Sequence, residues 1–142
     1  MAWRAGAKLF REIFFGQKAA CTLCHSAQGQ GGHVGPDLGK IGAIRSGRDL
    51  LESIVYPSAT FARGFEPYVI ATQDGRIHSG IIARESSEAI ELVAPDRSQV
   101  RLPRANIQEI GRSRVSIMPQ GLDAQLDRQE LVDLVAFLRS LR

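Results

Sequence analysis

Cysteine is scarce in this chain. Only two cysteines occur among its 142 residues, Cys21 and Cys24, and they are three positions apart. A small domain held together by disulfides needs several cysteines spread along the chain, so that class of protein is excluded. Methionine is equally scarce, with Met1 and Met118 as its two occurrences.

Long apolar runs and strong charge are also absent. No stretch approaches the roughly 18 consecutive apolar residues of a membrane-spanning helix, and the opening Met1-Ala2-Trp3-Arg4 lacks the pattern of an export signal. The net charge is +3, and the basic residues are scattered among acidic ones. This distribution is typical of a solvated surface, and the alternative is a docking face for an acidic partner. There is no basic stripe interleaved with aromatic residues. We therefore expect no transmembrane segment in this chain and no nucleic-acid partner.

Helical patterns occupy both ends of the chain, whose length fits one domain over residues 1–142. A first helix is predicted from about Arg4 to Phe15, and a second from about Arg48 to Tyr56, where Pro57 follows. Ser46 and Asp49 have the spacing of a capping box before the second helix, and Asp127 and Glu130 have it before the third. Leucines at helical spacing then continue the third helix to the C-terminus.

The middle third of the chain changes to the alternating pattern of β-strands. Two strands, Phe65–Gln73 and Arg76–Arg84, are predicted around the turn signal Asp74-Gly75. A second hairpin and a short last strand are predicted over Ala89–Ala94, Ser98–Leu102 and Ile107–Ile110. The expected fold class is therefore α+β, with a small antiparallel sheet or partial barrel inserted at about residues 65–111.

The two cysteines belong to the motif Cys21-Thr22-Leu23-Cys24-His25, which is the C-x-x-C-H signature of haem c attachment. Two intervening residues let the backbone turn so that both thiols reach the vinyl groups of one porphyrin, and the following imidazole points at the iron. A zinc site needs about four ligands, and only His33 is close by in the sequence. A thioredoxin-like dithiol needs a βαβ pattern that is missing here. We therefore predict one covalently bound haem c, with His25 as an iron ligand.

The second axial ligand is predicted by elimination. Met1 is the initiator, which leaves Met118 in Ser116-Ile117-Met118-Pro119 as the methionine that could reach the iron. A lone methionine in a protein without haem would more often be core filler. His33, close to the motif, and His78, in the middle of a predicted strand, are the alternative nitrogen ligands.

With these residues in place, the chain resembles a class I c-type cytochrome. Gly6 and Phe10 match the positions of the first helix that pack against the last helix in that family, where Val135, Phe137 and Leu138 would receive them. Gly35-Pro36-Asp37-Leu38 matches the loop that follows the haem motif. The resemblance implies that the carbonyl group of Pro36 accepts the ring N–H of His25. Met118 comes much later than the methionine of a compact class I cytochrome, and the β segment accounts for the excess.

A narrower resemblance covers nearly the whole chain. The segment Phe61-Ala62-Arg63-Gly64-Phe65-Glu66-Pro67-Tyr68, the Asp74-Gly75 hairpin and the Met118 segment resemble the planctomycete/verrucomicrobium-type haem-binding domains. These domains commonly sit at the C-terminus of large exported proteins, often behind a dehydrogenase-like propeller. The resemblance implies a domain cut from a longer, periplasmic or otherwise exported protein, with a fused upstream dehydrogenase as one candidate redox partner.

The sequence thus predicts an electron carrier rather than an enzyme. His/Met ligation would fill both axial positions of the iron and raise its reduction potential. The alternative is a haem sensor or peroxidase-like domain in which Met118 is absent from the iron or easily displaced. The β insertion offers strand edges, and a homodimer formed through them is a further expectation.

Overall fold

The computed structural model describes residues 10–142, and these form two compact units. One unit comprises the chain up to Ala59 together with Gln120–Arg142, and the other comprises Thr60–Pro119. Along the sequence, the second unit lies between the two segments of the first. Helices and antiparallel strands are both present, which agrees with the expected α+β class. None of the helices in the described part of the chain has the length and apolar character needed to cross a membrane.

The first unit is mainly helical. Residues 10–15 form helix α1, and a short 3₁₀ turn at Cys21–Leu23 leads into a two-stranded hairpin. The remaining elements of the first unit are β1 (Ser26–Ala27), β2 (Gln30–Gly31), α2 (Ile41–Ile44), α3 (Gly47–Val55), a 3₁₀ turn at Leu122–Gln125, and α4 (Arg128–Ser140).

Both predicted capping boxes are present. The hydroxyl of Ser46 accepts the backbone N–H of Asp49 at 3.1 Å, and the Asp49 carboxylate accepts the N–H of Ser46 at 3.3 Å. Asp127 and Glu130 make the same reciprocal pair at 2.8 and 2.9 Å. These side chains satisfy N–H groups that have no partner inside the helix, so α3 and α4 begin within two residues of the predicted positions.

Aromatic rings join α1 to α4. The ring of Phe14 is fully buried, with its centroid 5.4 Å from that of Phe137, and the Phe15 centroid lies 6.0 Å from the same ring. Burying one such ring contributes about 1.5–3 kcal/mol, so this contact stabilises the packing of α1 against α4. Phe10 is half-buried, and Gly6 lies outside the described residues.

A second close contact joins α2 to the end of α4. The N–H of Gly42 donates to the carbonyl oxygen of Leu141 at 2.7 Å. A Cβ atom at position 42 would overlap the carbonyl oxygen of Arg139, so only glycine allows this approach. Helix α2 was not predicted, because four residues are too few to show a helical period.

The second unit is a five-stranded antiparallel sheet with the order β6-β5-β4-β3-β7. Each strand agrees with a predicted strand to within two residues at either end. The strands are β3 (Pro67–Thr72), β4 (Ile77–Glu85), β5 (Ala89–Val93), β6 (Gln99–Pro103) and β7 (Ile107–Arg112).

The link between β6 and β7 shows that this sheet is curled. The two strands lie at opposite edges, and in a flat sheet four strand spacings of about 4.8 Å would separate them by about 19 Å. The chain from Pro103 to Ile107 spans at most about 15 Å, and its three middle residues, Arg104–Asn106, form a 3₁₀ turn that shortens it further. The edges must therefore approach each other, and the sheet is curled rather than flat.

One face of the curled sheet encloses a small apolar core. Ile70, Ile90, Leu92 and Leu102 are buried there, with Ile82, Val100 and Ile107 packed against them. Alternation of apolar residues alone would assign Ile77 to the buried face as well, but Ile77 is 72% exposed. Ile77 pairs with Ala71, whereas the buried Ile70 pairs with His78, so the side chain of Ile77 lies on the face of the sheet opposite the core.

We expect Gly42→Ala to lower the free energy of unfolding of the first unit by about 1–3 kcal/mol, the usual cost of an added methyl group in a close-packed contact. The measurement is the urea midpoint followed by the helical circular-dichroism signal. Gly39→Ala is the control in the same unit, since a Cβ atom there would meet only the tip of the flexible Asp37 side chain. A midpoint for Gly42→Ala equal to that of the control would contradict the packing argument.

Candidate haem-attachment site

The C-x-x-C-H motif folds into a single tight turn. The N–H groups of Cys24 and His25 both donate to the carbonyl oxygen of Cys21, at 3.2 and 2.9 Å. Ala20, just before the turn, has a left-handed backbone with φ of 55°. The turn places the two cysteines and the histidine within one short arc of chain, which is what two thioether bonds to one porphyrin require.

The glycine-rich loop after the motif is hydrogen-bonded to the motif's own backbone. Gly32 donates to the carbonyl of Thr22 at 2.8 Å, and Gly35 donates to that of Cys24 at 2.7 Å. A Cβ atom at Gly32 would overlap the carbonyl oxygen of Leu23. Glycine thus lets the loop lie directly on the turn, and the loop fixes the turn's conformation.

The imidazole of His25 is held by a hydrogen bond. Its Nδ1 lies 2.8 Å from the carbonyl oxygen of Pro36, the contact that the family resemblance implied. A carbonyl oxygen can only accept, so Nδ1 carries the proton and Nε2 of the neutral ring keeps its lone pair. Burial lowers the pKa of His25, and the hydrogen bond to Pro36 only partly opposes this, so the ring is held neutral. A neutral imidazole with a free Nε2 is the form that ligates iron.

Gly35 provides the surface against which this ring lies. A Cβ atom at position 35 would be 2.6 Å from Cε1 and 2.8 Å from Nδ1 of His25. Any side chain would therefore push the ring away from Pro36. The family resemblance singled out Pro36 in this loop, but the requirement for glycine at position 35 depends on the position of the ring, which only the structure supplies.

The two thiols are half-buried, and their chemistry differs from that of a redox dithiol. Burial raises the pKa of Cys21 to about 11, and the neighbouring Cys24 acts in the same direction. Reactive dithiols have the opposite property, a lowered pKa. No group of three histidine, cysteine, aspartate or glutamate side chains within residues 10–142 is placed to hold a metal ion. The dithiol and zinc interpretations therefore gain no support from the site, whereas a donor set of two thiols and one neutral imidazole fits covalent haem.

Ser26 adds one observation at the same place. It follows His25 directly and is 4% exposed, yet its hydroxyl has no hydrogen-bond partner among the described residues. A buried hydroxyl left unpaired costs free energy, which a bound group or an internal water molecule would recover. Nothing in the sequence pattern singled out this residue.

The structure thus brings together four of the five predicted site residues, Cys21, Cys24, His25 and Pro36. Met118 is half-buried and belongs to the second unit, six residues after the end of β7. Of the alternative ligands, His33 is exposed on the glycine-rich loop and His78 is half-buried in β4.

Comparison with known proteins supports the same cofactor chemistry. Residues 4–75, just over half of the chain, match the family model described as cytochrome c. No significantly similar relative was found among curated proteins. The match covers α1, the C-x-x-C-H turn, the loop with Pro36, and α3. The chain therefore belongs to the cytochrome c family, whose members bind covalently attached haem c and transfer electrons.

Proposed function

We propose that this chain is a mono-haem electron-transfer module, with Cys21 and Cys24 forming the thioether bonds and His25 and Met118 ligating the iron. The observation that carries the proposal is the hydrogen bond from Nδ1 of His25 to Pro36. It fixes the tautomer and the orientation of the ring before any ligand is bound. A histidine that served only to fill the core would not need its Nε2 left available.

The chain's own residues prepare the site in three ways. The turn at Cys21 places the two thiols one helical turn apart in the chain. The glycine-rich loop stabilises that turn through its hydrogen bonds to the motif's carbonyl groups. Burial keeps the imidazole neutral, so no proton must leave Nε2 when iron binds. The chemistry that haem iron supplies when bound is a one-electron couple. A single C-x-x-C-H motif and a total of two cysteines provide attachment for one haem.

Met118 is proposed as the sixth ligand on grounds of elimination. It is the one methionine besides Met1, and Pro119 restricts its backbone on the C-terminal side. His33 is exposed, and the loop that carries it is hydrogen-bonded to the backbone of the C-x-x-C-H motif. Thioether ligation fills the last coordination position and raises the reduction potential, which suits an electron carrier better than an enzyme.

We also propose that the module belongs to a larger protein. The resemblance to planctomycete/verrucomicrobium-type domains supports a β unit inserted between the haem motif and Met118 within a single domain. It also supports a place in a larger exported, periplasmic protein, with a fused dehydrogenase among the redox partners. The open edges of β6 and β7 are the places at which a second copy could add a strand.

Gly35→Ala tests the observation on which the proposal depends. The added methyl group should displace the His25 ring from Pro36 and weaken the His25–iron bond about 10- to 100-fold, the usual effect of losing such a supporting partner. The measurement is the guanidinium midpoint at which the low-spin spectrum of the haem-loaded protein is lost. Gly39→Ala in the same loop is the control, because its Cβ atom would meet only the tip of the Asp37 side chain. Equal midpoints for the two variants would count against the proposal.

Met118→Ala tests the sixth ligand. The oxidised wild-type protein should show the weak long-wavelength band typical of an iron–thioether bond. The variant should lose this band, have a lower potential, and bind carbon monoxide readily when reduced. Wild-type protein that lacks the band and binds carbon monoxide rapidly would instead support the sensor or peroxidase-like alternative. If the variant keeps the band unchanged, the sixth ligand is another group.

A further inference from the structure

Two consecutive bends of the same kind lie between β7 and the end of the second unit. In the first, the hydroxyl oxygen of Ser113 accepts the backbone N–H of Val115 at 3.1 Å. In the second, the hydroxyl oxygen of Ser116 accepts the backbone N–H of Met118, also at 3.1 Å. A serine oxygen that bonds the N–H two residues later forms a local turn in chain that lacks regular secondary structure.

The second bend restrains Met118 from both sides. Its N–H is held by Ser116, and Pro119 limits the backbone of the residue before it to extended conformations. The two bends differ in their surroundings, since Val115 is 68% exposed whereas Ile117 and Met118 are half-buried. The same hydrogen bond is thus made twice, once on the surface and once at the proposed iron ligand.

We propose that Ser116 is a positioning residue for Met118. The proposal rests on the proposed ligation of iron by Met118. A thioether is a neutral and displaceable ligand. The fraction of molecules in which it is bound to the iron therefore depends strongly on the conformational entropy that its segment loses on binding. Holding the Met118 N–H removes conformations in advance, and the benefit appears as resistance to competing ligands.

Ser116→Ala in the haem-loaded full chain tests this role. The variant should bind imidazole about two- to tenfold more tightly than wild type, the factor expected from one lost neutral hydrogen bond. Its reduction potential should fall, and its long-wavelength band should disappear at a lower temperature. Ser116→Thr keeps the hydroxyl oxygen and should restore the wild-type affinity for imidazole.

Ser113→Ala is the matched control, because it removes the same hydrogen bond from the preceding bend. We expect its affinity for imidazole to equal that of wild type. If both alanine variants bind imidazole equally tightly, the effect is a general loosening of the segment and the positioning role is wrong. An unchanged affinity in Ser116→Ala, with the long-wavelength band present in wild type, overturns this inference alone. Absence of the band from wild-type protein overturns the ligation by Met118 instead.

Discussion

The orientation of one imidazole ring sets the requirements that much of the first unit meets. The Nδ1–H of His25 donates to the carbonyl oxygen of Pro36. The ring can then ligate iron through Nε2 only if it stays neutral and Nε2 stays accessible. Burial supplies the first condition. The second depends on Gly35, whose missing side chain leaves room for the ring.

The backbone around the motif is built on the same constraint. A turn that places two thiols and an imidazole together is strained at Ala20, and its carbonyl groups need partners. The loop that carries Gly32 and Gly35 provides them by donating to Thr22 and Cys24. The aromatic contact of Phe14 with Phe137 then ties α1, which precedes the motif, to the last helix. The C-x-x-C-H turn, the glycine-rich loop and the α1–α4 packing are therefore linked by direct contacts or by adjacent chain within the first unit.

Much of this could be predicted from the sequence because the signals are local. The capping boxes at Ser46 and Asp127 and the turn at Asp74-Gly75 depend on residues a few positions apart, and the corresponding elements agree with prediction. The C-x-x-C-H motif identified the candidate cofactor for the same reason. The pairing of Pro36 with His25 came from family resemblance rather than from spacing.

What could not be predicted depends on contacts between distant segments. Gly42 looks like any surface glycine until the end of α4 is placed against it, and the unpaired hydroxyl of Ser26 becomes visible only when its burial is known. Ile77 is apolar yet exposed, because the sequence does not show which face of a strand the rest of the sheet will cover. Met118 was selected as an iron ligand by elimination, since Met1 is the other methionine of the sequence.

The intact mass of the denatured protein is the most direct test of covalent haem attachment at Cys21 and Cys24. The protein is produced in a host with haem-attachment machinery, extracted with acid and organic solvent, and weighed. We expect the mass of the chain plus one haem for the wild-type protein, and the mass of the polypeptide alone when Cys21 and Cys24 are both replaced by alanine. A wild-type protein that has the mass of the polypeptide alone after extraction would contradict covalent attachment.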